Sequence, residues 1–465
     1  MTDFDPGAVR AFRFLDCRFD ANTGEAGLDY AFDDGPVMTE VLRFPGTPFT
    51  LDGERAEAVQ RALRLLHLVA GVSYYKAAVP PEIRIESYDI DAGTAALLTS
   101  VYENGLGEFA YRNGLSLRGK IHFPVGESGL KSLPQEPSPP VGGISVPMLS
   151  AGAPKALVAI GGGKDSLVSI EALRAAGIEQ TVAWVGGSPL IAACAARTGL
   201  PTLNIGRALS PLLFELNRRG ALNGHIPVTA VNSAILALAA LLHGHDQVVF
   251  SNERSASYGS LIPGTGEVNH QWSKGWDFER DFAAHLRTHV AAGLRYYSLL
   301  RPFSELAVAR QFARIDHYDA YFSSCNRNFH LLGERPAQRW CGVCPKCHFV
   351  FLALAPFMPK PRLMGIFGRN LLDEADQAPG FDALMEYRDH KPFECVGEGR
   401  ESRAAMELLA NSAAWREDAL VKRYAREIRP QLDPADRGLA SLLEPSDDHG
   451  IPDALWERLR ANFGA

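Results

Sequence analysis

The 465-residue sequence predicts an α/β protein with a parallel sheet covered by helices on both faces. Two observations support this fold class. Residues 157–177 contain an apolar strand, a turn of three glycines and an amphipathic helix. From residue 181 to 253, runs of strand length that are apolar throughout alternate with helical segments, a pattern typical of parallel strands buried on both faces. At this length the chain should contain roughly two to four domains.

We expect four regions along the chain. Residues 1–130 form an N-terminal α+β module, and residues 131–150 a linker in which closely spaced prolines and paired glycines prevent regular structure. The predicted parallel sheet occupies residues 151–357, which also contain a cysteine knuckle at 325–347. Residues 358–465 are predicted to be a mostly helical C-terminal region.

The N-terminal module is expected to contain strands and two helices. The strands are predicted at residues 12–20, 28–34, 39–46 and 120–125. The first helix has an apolar face and ends near Gly71, and the second lies near residues 95–103. Tyr74, Tyr75 and Lys76 follow the end of the first helix, where they could contact a ligand, but tyrosines beside apolar neighbours more often pack at the edge of a core.

In the remainder of the predicted sheet, strands alternate with helices. Strands are expected at residues 181–187, 201–207 and 247–253, and helices at 191–199 and around 236–242. Ligands of parallel sheets bind at the carboxyl ends of the strands. The glycine turn and the ends of the strands at 181–187 and 247–253 should therefore converge on one pocket.

The glycine turn is the most specific motif in the sequence. Backbone N–H groups that converge at such a turn, together with the N-terminal end of the following helix, can bind a phosphate. Lys164 can add a cation, and Asp165 can bind Mg²⁺. The predicted nucleotide-binding residues of the turn are Gly161, Gly162, Gly163, Lys164, Asp165 and Ser166. The alternative is a turn that serves only close packing of helix on strand.

The segment GGGKDS resembles the SGGxDS PP-loop of the ATP pyrophosphatases. This resemblance implies ATP and Mg²⁺, cleavage of ATP between its α and β phosphates, and an adenylylated substrate. Gly161 stands where that family has a serine, so any phosphate contact from that hydroxyl is missing. By the same resemblance, Asn232 is a candidate beside the nucleotide, because queuosine-precursor enzymes of this type have an asparagine in a similar stretch.

Two further polar clusters are candidates for the site. In the segment 251–260, Ser251 and Ser255 could donate to phosphates, Arg254 could neutralise pyrophosphate, and Glu253 could bind Mg²⁺ or move a proton. The alternative is a polar loop that caps a helix. The second cluster, at 267–279, contains His270 and Lys274 on the expected substrate side. His225 is equally compatible with a surface or core histidine.

The cysteines predict a metal site. Seven cysteines, an odd number with close clustering, do not suggest a disulfide framework in a cytosolic chain. Cys325, Cys341, Cys344 and Cys347 can supply four thiolates to a tetrahedral Zn²⁺ ion, and a [4Fe–4S] cluster is the alternative. The spacing resembles the zinc knuckle of the queuosine-precursor synthases.

One stretch of the C-terminal region has the character of a site. Residues 391–402 contain Cys395, Glu398 and Glu401, which are conceivable acid–base groups. The rest of the region is charged and has helical periodicity.

Taken together, several segments resemble the MurL family of UDP-N-acetylmuramoyl-L-alanyl-L-glutamate epimerases. They are LVAGVSYYKA, IGGGKDS, SNERSAS, RPFSELAVARQFA and RWCGVCPKC. The resemblance implies adenylylation of the terminal glutamate carboxylate, inversion at Cα and hydrolysis to AMP and the D-glutamyl product. It implies UDP-MurNAc-L-Ala-L-Glu as substrate and makes the ligase that produces this compound a candidate partner.

The residues that move the Cα proton are left open. Lys164, Asp165 and Arg254 would serve activation by ATP. Removing the Cα proton beside a carboxylate would place a second negative charge next to the first. In an acyl-adenylate the carboxyl group is neutral, so loss of the Cα proton can give an enolate. The candidates for proton transfer are Glu253, His270, Lys274 and Cys395.

Other functions are compatible with the motifs. The main alternative is a PP-loop enzyme that adenylylates a nucleobase or tRNA, similar to 7-cyano-7-deazaguanine synthase or to a thiolase, and another is a nucleotide-binding regulator without turnover. The formal charge of −7 argues against non-specific nucleic-acid binding. No apolar run suits a membrane helix or a signal peptide, so we expect a cytoplasmic protein with neither a nucleic-acid nor a membrane partner.

Overall fold

A computed structural model of the chain describes residues 3–126, 153–262, 266–329, 336–388 and 391–464. The predicted linker at 131–150 lies outside the described residues. The strands, numbered in chain order, are β1 (Ala11–Asp20), β2 (Glu25–Phe32), β3 (Met38–Arg43), β4 (Glu82–Ile85), β5 (Lys155–Ala159), β6 (Glu179–Val185), β7 (Thr202–Ala208), β8 (Gln247–Phe250), β9 (Ser260–Ile262), β10 (Gly266–Val268) and β11 (Arg295–Ser298).

The helices are numbered in the same way. They are α1 (Gly53–Ala70), α2 (Val72–Tyr75), α3 (Ala92–Gly105), α4 (Gly107–Arg112), α5 (Lys164–Ala175), α6 (Pro189–Arg197), α7 (Pro211–Arg218), α8 (Val228–His243), α9 (Trp276–His285), α10 (Glu305–Phe312), α11 (Pro345–Leu354), α12 (Lys360–Phe367), α13 (Ala378–Leu384), α14 (Gly399–Ala410), α15 (Ala419–Arg423), α16 (Ala440–Leu443) and α17 (Asp453–Gly464). Among the described residues, no helix has both the length and the apolar character that crossing a membrane requires.

Nine strands form one mixed sheet in the order β11-β8-β5-β6-β7-β3-β2-β1-β4. Strands β11, β8, β5, β6 and β7 run parallel, which confirms the predicted parallel arrangement. Strand β3 pairs antiparallel with β7, with Val41 opposite Ala208 and Arg43 opposite Gly206. The strands of the predicted N-terminal module and those of the predicted parallel sheet therefore share one sheet.

The parallel half of the sheet is buried on both faces. In β5, Leu157 packs into one hydrophobic core while Ala156 and Val158 pack into the other. Helices α1 and α8 belong to the first core, and α5 and α10 to the second. Because alternate side chains of a strand point to opposite faces, both faces require apolar residues, and this explains the uninterrupted apolar runs in the sequence.

Helix α1 forms as its periodicity predicts. Leu63, Leu66 and Val69 are fully buried, and the helix ends at Ala70, with Gly71 as its C-terminal cap. Tyr74 and Tyr75 are buried in the core, which favours the packing interpretation of these tyrosines.

One predicted strand is wrong. Residues 120–125 form no strand, and their backbone pairs with no strand of the sheet. Ile121 and Phe123 are buried, so the alternating apolar pattern reflects packing rather than strand pairing. The short strand that lies parallel to β1 is β4, which the sequence pattern did not indicate.

The C-terminal part of the chain is helical, as predicted. Between residues 336 and 464 the described segments contain helices and no strand. This region also contacts the sheet, because Arg254 donates to the carbonyl oxygens of Leu442 and Glu444. These contacts bring the C-terminal helices close to the ends of the parallel strands.

Candidate active site

The glycine turn connects β5 to α5 in a conformation that requires glycine. Gly162 has a φ of +78°, in the left-handed region that favours glycine. A Cβ atom at Gly163 would lie 2.6 Å from the Oγ atom of Ser324. The turn therefore lies directly against the segment that follows Phe322, and a side chain at Gly163 would displace that segment.

A cavity of about 420 Å³ opens at the carboxyl ends of β5, β6 and β8. Its size falls within the range of roughly 300–1,000 Å³ that is typical of small-molecule sites. The predicted site residues that line it are Gly161, Gly163, Asp165, Ser166, Asn232, Ser251 and Lys274, together with the candidate Cys395. The three strand ends thus meet at one pocket, as the sequence predicts.

Three carboxylates lie together beside the turn. Oxygen atoms of Asp165, Glu253 and Glu305 all lie within 4.8 Å of one another. Lys164 is completely buried and donates to Asp165 and Glu305, so its ammonium group lies among the carboxylates and does not line the cavity. A second ammonium group, that of Lys346, lies 3.7 Å from Glu305.

The protonation of these carboxylates differs. Burial opposes ionisation of Asp165, but Lys164 and Lys346 outweigh it and lower the pKa of that carboxyl. Burial and the charge of Asp165 raise the pKa of Glu253. Burial likewise raises the pKa of Glu305, to about 7, despite Lys164. Such a set of oxygen donors suits a hard divalent cation, and Asp165 is the donor that is most readily ionised.

The segment that follows β8 is divided between two environments. Ser251 lines the cavity, and its buried hydroxyl oxygen has no hydrogen-bond partner among the described residues. Ser255 is buried beside the carboxylate of Glu401 instead. Arg254 is held by C-terminal carbonyl groups and lies outside the lining of the cavity. Ser251 is therefore the hydroxyl of this segment that is placed to meet a ligand.

Another cluster surrounds Cys395, which lines the same cavity. The Nζ atom of Lys274 donates to the Cys395 Sγ atom over 3.2 Å. His270 also lies beside the thiol, and its Nδ1 atom contacts Glu108. His225 stacks on His270 with 4.2 Å between ring centroids.

Charges around Cys395 favour a thiolate. Burial raises the pKa of this thiol, but Lys274 and His270 outweigh it and lower the pKa to about 5. Burial lowers the pKa of His270, yet the neighbouring Cys395 and Glu108 raise it to about 9. Lys274 responds in the same way, since Cys395 and Glu253 raise its pKa against the effect of burial. At neutral pH the cluster therefore holds a thiolate between two cations.

The four predicted cysteine ligands come together. The sulfur atoms of Cys325, Cys341, Cys344 and Cys347 all lie within 4.8 Å of one another. The Sγ atoms of Cys341 and Cys347 are 3.7 Å apart. Tetrahedral bonds of about 2.3 Å to a central ion would separate two sulfurs by about 3.8 Å, so the cluster can hold a metal ion.

The cysteine cluster adjoins the wall of the cavity. Ser324 and Asn326 flank Cys325 and line the cavity, and so does Lys346, which precedes Cys347 in α11. An ion bound to the four sulfurs would fix these wall segments relative to each other.

Some residues of the site escape sequence reasoning. Glu305 directly follows Ser304, the N-cap of α10, and a carboxylate in the first turn of a helix has an ordinary local explanation. Glu108 belongs to a segment rich in glycine and asparagine, far from the glycine turn in the chain. Of the remaining candidates, Glu398 and Glu401 form the capping box of α14. The loop between Lys391 and α14 contains Cys395 and places it at the cavity.

The fold and the site define an α/β protein with a cavity of small-molecule size at the carboxyl ends of parallel strands. Comparison with family models is more specific. The model of the MurL N-terminal domain matches residues 3–299, and that of the MurL C-terminal domain matches residues 321–438. The chain belongs to the MurL family.

Relatives match along the chain. A protein of Xanthomonas oryzae pv. oryzae named UDP-N-acetyl-alpha-D-muramoyl-L-alanyl-L-glutamate epimerase is 68% identical over 463 residues, which cover 100% of both chains. A protein of the same name from Salinispora tropica is 45% identical over 88% of this chain and 87% of its own. A third protein of that name, from a Micromonospora species, is 43% identical over 95% of this chain and 96% of its own.

Proposed function

We propose that the chain inverts the terminal L-glutamate of UDP-MurNAc-L-Ala-L-Glu to D-glutamate, a step of peptidoglycan precursor synthesis. The observation that carries this assignment is the relative of that name, which is 68% identical from end to end. The cavity supports it, because the glycine turn, Asp165, Lys274 and Cys395 all border one site. A nucleobase- or tRNA-activating function receives no comparable support from the relatives.

The reaction proceeds in our proposal through an acyl-adenylate. A carboxylate makes the adjacent Cα–H bond a very weak acid, since its removal would place a second negative charge beside the first. Adenylylation by ATP neutralises the carboxylate and releases pyrophosphate. After inversion at Cα, hydrolysis gives AMP and the D-glutamyl product.

The residues of the turn hold ATP in this account. Gly161, Gly163 and Ser166 line the cavity at the N-terminal end of α5, where backbone N–H groups favour a phosphate. Ser251 offers a buried hydroxyl without a protein partner. Asp165 and Glu253 would hold Mg²⁺, which neutralises phosphate charge when bound. The GGGKDS turn is then a PP-loop in which the buried Lys164 holds the carboxylates of Asp165 and Glu305 in place.

The cysteine cluster is proposed to hold structural Zn²⁺. Zn²⁺ prefers four thiolates in a closed tetrahedron, and the 3.7 Å separation of Cys341 and Cys347 sulfurs suits a single central ion. A four-iron cluster places iron and sulfide atoms between the thiolates and needs wider spacing.

The chemistry also suggests where the protein works. ATP and a nucleotide-linked precursor are its proposed substrates, so we place the reaction in the cytoplasm. The ligase that makes UDP-MurNAc-L-Ala-L-Glu supplies the substrate and is the proposed partner.

The function is tested by incubating the protein with UDP-MurNAc-L-Ala-L-Glu, ATP and Mg²⁺. We expect D-glutamate after hydrolysis of the product, with AMP and pyrophosphate formed only when the dipeptide is present. Parallel reactions with a deazapurine carboxylic acid and with tRNA provide the contrast. AMP release with one of those substrates, and none with the dipeptide, would contradict the proposal.

A further inference from the structure

The C-terminal region contributes one nucleophilic side chain to the cavity. Cys395 lines the cavity together with Gly161 and Asp165 of the glycine turn. Cys395 therefore borders the space in which we place the adenylylated carboxyl group. The chain's other thiols outside the cysteine cluster, Cys17 and Cys194, are buried in the two hydrophobic cores.

The position of Cys395 is fixed by contacts from two other parts of the chain, the segment 267–279 and α11. Lys274 donates to its sulfur over 3.2 Å, and His270 lies beside the thiol. Lys346, from α11, donates to its backbone carbonyl oxygen. The sulfur is thus oriented by groups that carry or can carry positive charge.

His270 is itself held in place from the N-terminal part of the chain. Its Nδ1 atom contacts an oxygen of Glu108, and Arg112 binds the other oxygen of that carboxylate. Glu108 is only 5% exposed, so this contact is well shielded from water. A carboxylate that orients an imidazole, which in turn contacts a thiol, is the arrangement that activates cysteine in nucleophilic and acid–base catalysis.

We propose that Cys395 is a catalytic residue that transfers the Cα proton on one face of the glutamyl group, and this inference depends on the proposed function. As base, its thiolate takes the proton of the acyl-adenylate: the Cα–H bond breaks, an S–H bond forms, and the electron pair moves onto the carbonyl oxygen as an enolate. As acid on the reverse path, the thiol returns the proton to Cα. Lys274 and His270 are positioning residues that stabilise the thiolate.

The charges distinguish Cys395 from its neighbours. The pKa values of Lys274 and His270 are raised by the thiolate, so near neutral pH both groups already carry a proton and are poor bases. The opposite shift at Cys395 leaves it ionised at the same pH. A thiolate is the group of the three that can accept a proton directly from carbon.

The test compares Cys395→Ser with Cys17→Ser, a buried cysteine of β1 in the other part of the sheet. Two activities are measured: exchange of labelled pyrophosphate into ATP in the presence of the dipeptide, and formation of D-glutamate. For Cys395→Ser we expect pyrophosphate exchange within about twofold of wild type and a loss of D-glutamate formation of roughly 10²-fold or more. Cys17→Ser should retain both activities.

The two activities separate this inference from the proposed function. Wild-type protein without dipeptide-dependent pyrophosphate exchange would contradict the proposed function itself. Wild-type exchange with D-glutamate formation by Cys395→Ser within twofold of normal would overturn only the role of Cys395. The Cys395→Ser variant in D₂O shows on which face the thiol acts. If deuterium enters Cα of the recovered L-substrate without D-product, the base that deprotonates the L-substrate is intact and Cys395 acts on the opposite face. If no deuterium enters, Cys395 is the base that deprotonates the L-substrate.

Alkylation of the wild-type protein tests the same point without a variant. Iodoacetamide at pH 6 should modify Cys395, abolish epimerisation and be blocked by ATP with the dipeptide. Cys17 should not react, because burial raises its pKa to about 12. Replacing Lys274 by methionine should move the pH midpoint of alkylation upward. Peptide mass spectra that show Cys395 unmodified in the absence of ATP and the dipeptide would contradict the inference.

Discussion

Lys164 and Glu305, 141 positions apart in the chain, form an ion pair beneath the glycine turn in which each side chain is 1% exposed. The pair joins the first turn of α5 to the first turn of α10. The same ammonium group contacts Asp165, the carboxylate that faces the cavity. The pair therefore both neutralises buried charge and orients Asp165.

Removing one partner of this pair should be costly. Glu305→Gln leaves the buried Lys164 ammonium with Asp165 as its remaining partner, so the cost should lie between the about 0–1 kcal/mol of a surface pair and the about 3–5 kcal/mol of a fully broken buried pair. We expect a loss of this size in the free energy of unfolding from urea titration. Glu457→Gln is the control, because Glu457 and Arg460 pair on the surface, where such pairs contribute about 0–1 kcal/mol. Equal effects of the two substitutions would contradict this account.

Asp165→Asn tests the role of the carboxylate in activation. It keeps the shape of the side chain but removes the charge that would bind Mg²⁺, so we expect pyrophosphate release to fall to background. The circular dichroism spectrum should be unchanged. Asp52→Asn, at the exposed start of α1, is the control and should turn over normally. Unchanged turnover in Asp165→Asn would show that Asp165 is not a metal ligand.

The cysteine cluster predicts the metal content of the protein. Purified protein should contain about one zinc ion per chain, as a closed four-thiolate site requires. Cys341→Ser should lower both the zinc content and the melting temperature, whereas Cys17→Ser should retain zinc. Elemental analysis measures this directly. Iron with sulfide, or the absence of any bound metal, would contradict the assignment.

Buried histidines predict a loss of stability in acid. Burial lowers the pKa of His67 to about 4 and that of His285 to about 3. An unfolded histidine titrates near 6.5, so the unfolded chain binds protons that the folded chain does not. The stabilisation is complete above pH 6.5 and is lost as the pH falls toward the folded pKa.

His285→Gln isolates one of these contributions. Between pH 7 and pH 5, the variant should lose less free energy of unfolding than wild type by on the order of 1–2 kcal/mol. Urea titrations at the two pH values measure the difference. A wild-type loss that the substitution leaves unchanged would show that the pKa of His285 is the same in the folded and unfolded chains.

Local patterns predicted the elements that form the pocket. The apolar run at 157–160 and the three glycines predicted both the β5–α5 connection and the position of the cavity. The spacing of Cys341, Cys344 and Cys347 predicted the cluster in the same way, because their ligand geometry is set by residues close in sequence.

Contacts between distant segments could not be predicted from such patterns. The pairing of β3 with β7 follows from packing across the whole sheet, and the sequence of neither strand indicates which strand it pairs with. The contact of Glu108 with His270 joins residues 162 positions apart. Nothing in the sequence around Glu108 distinguishes a glutamate that positions an imidazole from a glutamate that is exposed to solvent.

The central claim is that a glutamyl carboxylate is activated as an adenylate before inversion, and an isotope label tests it most directly. The dipeptide is prepared with ¹⁸O in the α-carboxylate of its terminal glutamate and incubated with the protein, ATP and Mg²⁺. We predict that AMP acquires one ¹⁸O atom per D-glutamyl product formed, because the bridging oxygen leaves with AMP on hydrolysis. D-glutamyl product accompanied by unlabelled AMP, or formed without ATP, would contradict the account.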